Sequence, residues 1–147
     1  MVYKQLNTNI LNALASSYKA VNRDSYEAAI NDMNSPLEDL TLMPLIFTKI
    51  KDLYEITTLN MPAIVSIIYS LYAKHRLLSK YQNVRCQNGL RKAMCNVTGW
   101  KNSTMCNYWQ PIAQAYYKNP NFRERVERES AEILTYIQSI EYKQLTN

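Results

Sequence analysis

Nine cationic side chains, Lys74, Arg76, Lys80, Arg85, Arg91, Lys92, Lys101, Lys118 and Arg123, stand in a stretch of 68 residues, 56–123, that contains no aspartate or glutamate. The chain of 147 residues has 12 carboxylate side chains in all, so a window of this length without one is a poor fit to chance. Residues 1–55 sum to −2 and residues 124–147 to −2, which leaves the middle to supply the net charge of +5. Lysines and arginines kept clear of acids suit one chemistry best, charge-assisted contact with the phosphates of a nucleic acid. An anionic membrane surface is the second polyanion that would answer, and a plain solvated basic surface is the bland alternative.

Other chemistries find little material. There is one histidine, no glycine-rich phosphate cradle and no carboxylate in the middle of the chain, so the usual acid and base partners of an enzyme are missing. No catalytic residue, cofactor or small-molecule substrate is expected, and His75, flanked by Lys74 and Arg76, reads as part of the basic surface. His75, Cys86, Cys95 and Cys106 lack the close spacing of structural zinc ligands, so no metal is expected. Three widely spaced cysteines also argue against a disulfide framework and suit a reducing compartment. The triplets Asn96-Val97-Thr98 and Asn102-Ser103-Thr104 match a glycosylation acceptor, as a chain with fifteen asparagines will do by chance.

The elements that must carry these cations are helices. Two glycines and five prolines are too few for a β protein, and the apolar residues recur at steps of three and four. The expected fold is all-α, a single domain over 1–147 with five to seven helices, in which residues 1–35 form an N-terminal helical arm. In that arm Leu6, Ile10, Leu14, Tyr18 and Val21 form one stripe, and Tyr26, Ile30 and Met33 a second. Ser35 and Glu38 have the spacing of a capping box, with Pro36 at the first helical position, which predicts a new short helix there. Pro44 opens another that runs to Ile56. Asn60 and Pro62 open a helix over 61–81, apolar nearly all round at its start and basic at its end. Its apolar run, Met61 to Ala73, is too short to span a bilayer, and its charges gather at one end instead of along a face, which fits membrane insertion poorly. Residues 82–88 read as loop, and a short helix from Gly89 stops at Gly99. Asn102 or Ser103 caps the next helix, which Pro111 interrupts. Asn119-Pro120 opens the longest, with Phe122, Val126, Ile133, Ile137 and Ile140 inward and the pairs Glu124–Arg128 and Arg128–Glu132 outside. The segment after Met1 has no apolar core of signal-peptide length, so no secretion signal is expected.

Within the acid-free stretch, residues 89–110 place a small Cys95, a Gly99 four later, then apolar Trp100, Met105 and Tyr108. This pattern resembles helix-turn-helix DNA-binding domains. The resemblance implies that Lys101, Asn102, Ser103, Thr104 and Asn107 begin a recognition helix whose amide side chains pair with adenine in the major groove. A wider resemblance rests on small size, helical and tyrosine-rich character, a basic balance, and the short echoes Val97-Thr98-Gly99, Ala115-Tyr116-Tyr117 and Asn119-Pro120. In these the chain is similar to the coat proteins of filamentous viruses of hyperthermophilic archaea. That likeness implies a virion nucleocapsid, a helical nucleoprotein filament on double-stranded DNA, and self-association or pairing with a paralogous coat subunit. In that family an N-terminal arm commonly embraces the DNA, whereas Lys4, Lys19 and Arg23 are here balanced by Asp24, Glu27 and Asp32. The nucleic-acid contacts are therefore expected at Lys74, Arg76, Lys80, Arg85, Arg91, Lys92, Lys101, Asn102 and Asn107, with Tyr72, Tyr81, Trp100 and Tyr108 beside the backbone. A helix-turn-helix regulator is the second reading, and a helical interaction module that faces an acidic protein without nucleic acid is the third.

Overall fold

A computed structural model describes residues 8–78, 87–101, 115–116 and 118–146. Among the described residues the chain is all-α, with seven α-helices, one 3-10 turn and no strand. It divides into two compact units, Met1–Asn34 and Ser35–Asn147. The first holds α1 (Thr8–Val21) and α2 (Arg23–Met33), joined through Asn22 alone. The two helices pack on one another, yet neither has a single buried residue.

The second unit is built around α4 (Met61–Tyr72). Eleven of its twelve residues are buried, which follows from a segment whose first turns are apolar on every side. Ile64, Ile67 and Ile68 have no exposed surface at all, and burying each contributes about 1.5–3 kcal/mol. Three helices supply the cover. α3 (Met43–Leu53) turns Met43, Ile46, Phe47 and Ile50 inward. α6 (Leu90–Thr98) contributes Leu90 and Met94 and packs on α3. α7 (Pro120–Thr146) lies along α4 and touches α3, with Val126, Ser130, Ile133 and Ile137 on its inner face. Small residues on both members of the main pair, Ala63, Ser66 and Ser70 on α4 and Ser130 on α7, are buried and allow close approach of the two helices.

Helix starts follow the prolines: Pro44 and Pro62 sit in the first turns of α3 and α4, and Pro120 begins α7. Asn119 caps α7, its side-chain oxygen accepting from the Phe122 amide at 3.1 Å. Four local expectations are corrected. The short helix at Pro36 does not form, because Ser35 is used elsewhere: its hydroxyl accepts from the backbone N–H of Lys74 at 3.0 Å. Leu37 N–H likewise donates to the Leu71 carbonyl at 2.9 Å, so residues 35–37 satisfy backbone groups left open where α4 ends. The helix expected over 61–81 breaks at Ala73, which is non-helical (φ −151°), and a separate α5 (Lys74–Leu78) follows. Asn60 does not cap α4; its amide donates to the Glu55 carbonyl instead, at 2.9 Å. Farther on, α3 ends at Leu53, short of Ile56, and Tyr54 is extended.

Tyrosine hydroxyls tie the elements together. Tyr54 donates to Glu129 (2.6 Å), Tyr72 to the Asp39 carbonyl (2.8 Å) and Tyr116 to Glu127 (3.0 Å). Burial, with the Glu129 hydrogen bond and charge, pushes the Tyr54 phenol up to about 12, and burial beside the Asp39 charge does the same for Tyr72. Burial and Glu127 raise Tyr116 as well.

A phenol raised in the folded state stabilises the fold fully below its unfolded pKa near 10, and that contribution is lost as pH rises through the folded value. The fold should therefore weaken between pH of about 10 and about 12, and a Tyr54→Phe, Tyr72→Phe variant should show a shallower fall across that window in urea titrations. Glycines give a second prediction. Gly89 (φ +89°) and Gly99 (φ +75°) are both left-handed, so alanine at either costs about 1–2 kcal/mol. A Cβ at Gly89 would also meet Leu40 Cδ1 at 3.3 Å, whereas Gly99 has open space. Urea denaturation should find Gly89→Ala the more destabilised and Gly99→Asn the least.

Candidate nucleic-acid interface

α6 is a surface helix whose two faces differ in kind. Leu90 and Met94 are buried four apart, with Ala93 and Val97 partly covered beside them. Lys92, Asn96 and Gly99 are exposed at steps of four and three, and exposed Lys101 follows. This outer ridge carries no acid, because the sequence around it has none. Lys92 stands in the first turn of α6, and Lys101 lies beyond its end, past the left-handed Gly99. Arg91, half-buried, lies beside Lys92 in the first turn.

The end of α6 forms as the sequence predicts. Gly99 adopts the left-handed conformation and its N–H closes on the Cys95 carbonyl at 2.9 Å. Thr98 donates its hydroxyl to the Met94 carbonyl (2.7 Å) and accepts from the Trp100 amide (3.2 Å), fixing the turn, while Trp100 packs against the core. The start is less ordinary. Gly89 has no side chain with which to cap, no acid occupies the first turn, and Arg91 and Lys92 sit at the positive end of the helix dipole. A cation there destabilises a helix by about 0.3–1 kcal/mol, so helix stability does not account for the exposed Lys92.

Segment 35–38 links the start of α6 to Lys74. Gln87, just before α6, donates to the Glu38 carbonyl at 3.2 Å, and Ser35 accepts from Lys74 at 3.0 Å. Three residues of chain reach at most about 11 Å, so segment 35–38 brings Lys74 and the start of α6 to a common side. Glu38 and Asp39 stand on that side too. The Asp39 carboxyl is held below its usual range by hydrogen bonds from the Thr41 hydroxyl (2.6 Å) and amide (2.9 Å). Lys74 and the start of α6 thus share their surroundings with these acids, whereas the sequence of the ridge itself has none.

Two of the expected contact residues are corrected. Arg76 is buried, 7% exposed, with its guanidinium carbon 5.3 Å from the Tyr69 ring centroid, so it braces α4 and is withdrawn from solvent. Tyr72, expected beside a nucleic-acid backbone, is in the core and bonded to Asp39. Lys80, Arg85, Asn102 and Asn107, with Tyr81 and Tyr108, lie outside the described residues, as does the second half of the helix-turn-helix pattern. Among the described residues the ion pairs Arg23–Glu27 (3.0 Å) and Lys49–Asp52 (3.8 Å) both lie outside the acid-free segment. No carboxylate lies within ion-pair reach of Lys74, Lys92 or Lys101 among those residues.

One cationic feature was not read from the sequence. An open cleft of about 470 Å³ at the start of α7 is lined by Asn119, Asn121, Phe122, Glu124, Arg125 and Arg128. The expected pairs of Arg128 with Glu124 and Glu132 do not close. Arg125 instead lies over the Tyr54 and Phe122 rings, at 5.8 and 5.6 Å. Positions 121, 125 and 128 share one helix face, a spacing that could have pointed to the cleft. Glu124 in its wall and Glu129 on Tyr54 offset its charge.

Among the described residues no group of three histidine, cysteine or acidic side chains is placed to hold a metal, and no helix is long and apolar enough to cross a membrane. No family model matches the chain, and no match was found among the curated proteins or the solved structures.

Because the ridge lysines are exposed and without acid partners, they are expendable for folding. Lys92→Gln with Lys101→Gln should change unfolding free energy by less than about 0.5 kcal/mol in urea titrations.

Proposed function

We propose that this chain is a non-enzymatic coat subunit that packages double-stranded DNA in a helical nucleoprotein filament. The observation that carries the reading is the outer ridge of α6, where Lys92, Asn96 and Lys101 face solvent on a segment free of carboxylates. Lys92 strengthens it, since it occupies a helix end at which a cation is unfavourable unless an anion comes to meet it. The ridge and Lys74 neutralise phosphates, which positions the protein without reading bases. Lys80 and Arg85 belong to the same acid-free run and extend the set of cations available to the duplex. In this reading the subunits join one another or a paralogue in a filament, in keeping with the resemblance to filamentous archaeal virus coats, and the protein belongs to the nucleocapsid of a virion.

One observation favours a second reading. The α6 helix, the small Cys95 and the left-handed Gly99 four residues later have the layout of the first helix and turn of a helix-turn-helix. Such a regulator would read bases through Asn102 and Asn107.

Filter binding to random and selected duplexes over a salt series separates the two. The coat reading expects little base preference and an affinity that falls by about 0.9 log unit per log unit of salt for each phosphate neutralised. Alanine at Arg91, Lys92 and Lys101 together should weaken binding at least tenfold and lower that slope by about two to three. Unchanged affinity in this variant removes the ridge as the interface. Preference for a selected site by about a thousandfold or more moves the protein to the regulator class.

A further inference from the structure

The N-terminal unit leaves its most apolar surface bare. On α1, Ile10, Leu11, Leu14, Tyr18 and Val21 lie on one side, and on α2, Tyr26, Ile30 and Met33 recur at steps of four and three. Apart from the half-buried Tyr26, these side chains are 41–78% exposed. Tyr18 and Tyr26 touch, with ring centroids 6.5 Å apart, so the two stripes meet and form one surface. Helices of 14 and 11 residues are marginal in water when nothing covers their apolar faces.

Area and charge say what covers them. The seven exposed side chains present on the order of 700 Å², above the roughly 300–600 Å² of the largest patch on a typical monomer and close to the roughly 800 Å² per partner of a stable interface. Arg23 pairs with Glu27 at 3.0 Å, and Lys19 lies 5.7 Å from the Tyr26 ring centroid. Lys4 and Lys19 are balanced by Asp24 and Asp32, so the unit has no net charge, offers a polyanion little attraction and lacks the cationic fringe of a membrane-surface helix. A near-neutral pair of helices with one apolar face is complementary to itself. Two such pairs placed face to face about a two-fold axis make a four-helix bundle in which each stripe covers the other.

We propose that the α1–α2 pair docks on the α1–α2 pair of a second copy of this chain. This deepens the assembly half of the proposed function and identifies a protein contact where the family likeness implies a DNA-embracing arm; the association itself needs no DNA.

Sedimentation equilibrium of the full chain, without nucleic acid and over roughly 1–100 µM, tests it. The wild-type chain should associate reversibly, and Leu14→Ser with Ile30→Ser should weaken association by at least about a hundredfold. Lys92→Ala with Lys101→Ala should associate like wild type. Since the paired helices can lose structure when separated, a second measurement keeps the wild-type sequence: cross-linking of mixed isotope-labelled and unlabelled chains should give mixed-mass products through Lys19. A wild-type monomer throughout the range, equal association of the serine variant, or absence of mixed-mass products overturns the inference. So does a monomer whose α1 amides resist hydrogen exchange, because its own chain then covers the stripe. Binding to phosphatidylserine vesicles that the serine variant loses also overturns it, in favour of a lipid surface. Filter binding on the same samples keeps the two ideas apart: chains that associate but ignore DNA sink the coat reading alone, and monomers that bind DNA sink this one alone.

Discussion

Everything in the second unit follows from the need to enclose one helix. α4 has no polar face to offer water, so eleven of its twelve residues are buried, and α3, α6 and α7 each join that core with the inner stripe its own sequence provides. The hydrophobic effect fixes where those three helices go, and their outer faces are what remains free to vary. The α6 ridge is such a remainder: with Leu90 and Met94 committed inward, Lys92 and Asn96 can only point out.

Enclosure also carries a polar cost. Ser66 on α4 and Ser130 on α7 are buried, and among the described residues their hydroxyls have no hydrogen-bond partner, which costs about 1–3 kcal/mol for each group. Small side chains at these places let the longest helix lie close along the central one, and the added dispersion attraction between the two helices offsets the unpaired oxygens. The tyrosines resolve a similar conflict differently. Tyr54, Tyr72 and Tyr116 bring large rings to the unit and bond their hydroxyls to an acid or a carbonyl of another element or turn, so a tyrosine-rich composition here serves cohesion as well as surface.

Much of this was legible in the sequence wherever a signal acts over one or two turns. Pro44, Pro62 and Pro120 mark helix starts, Gly99 marks a stop, and the stripe Val126, Ile133, Ile137 marks an inner face, because each depends on backbone geometry or helical period alone. What failed depends on partners far away in the chain. Ser35 has the spacing to cap its own helix but is bonded to Lys74, 39 residues on, and the break at Ala73 belongs to the same junction. For the site, the exposure of Lys92 and Asn96 was readable from the period of α6. The burial of Arg76 was not, since charge alone does not say that a guanidinium will lie on Tyr69.

The stitching of residues 35–37 has a mechanical consequence. The first residues of the second unit are bonded to the end of α4 and the start of α5 through Ser35 and Leu37. Force applied at Ser35 therefore has no loose spring in which to dissipate, and it arrives directly at the joint between the most deeply enclosed helix and the basic turn that follows it.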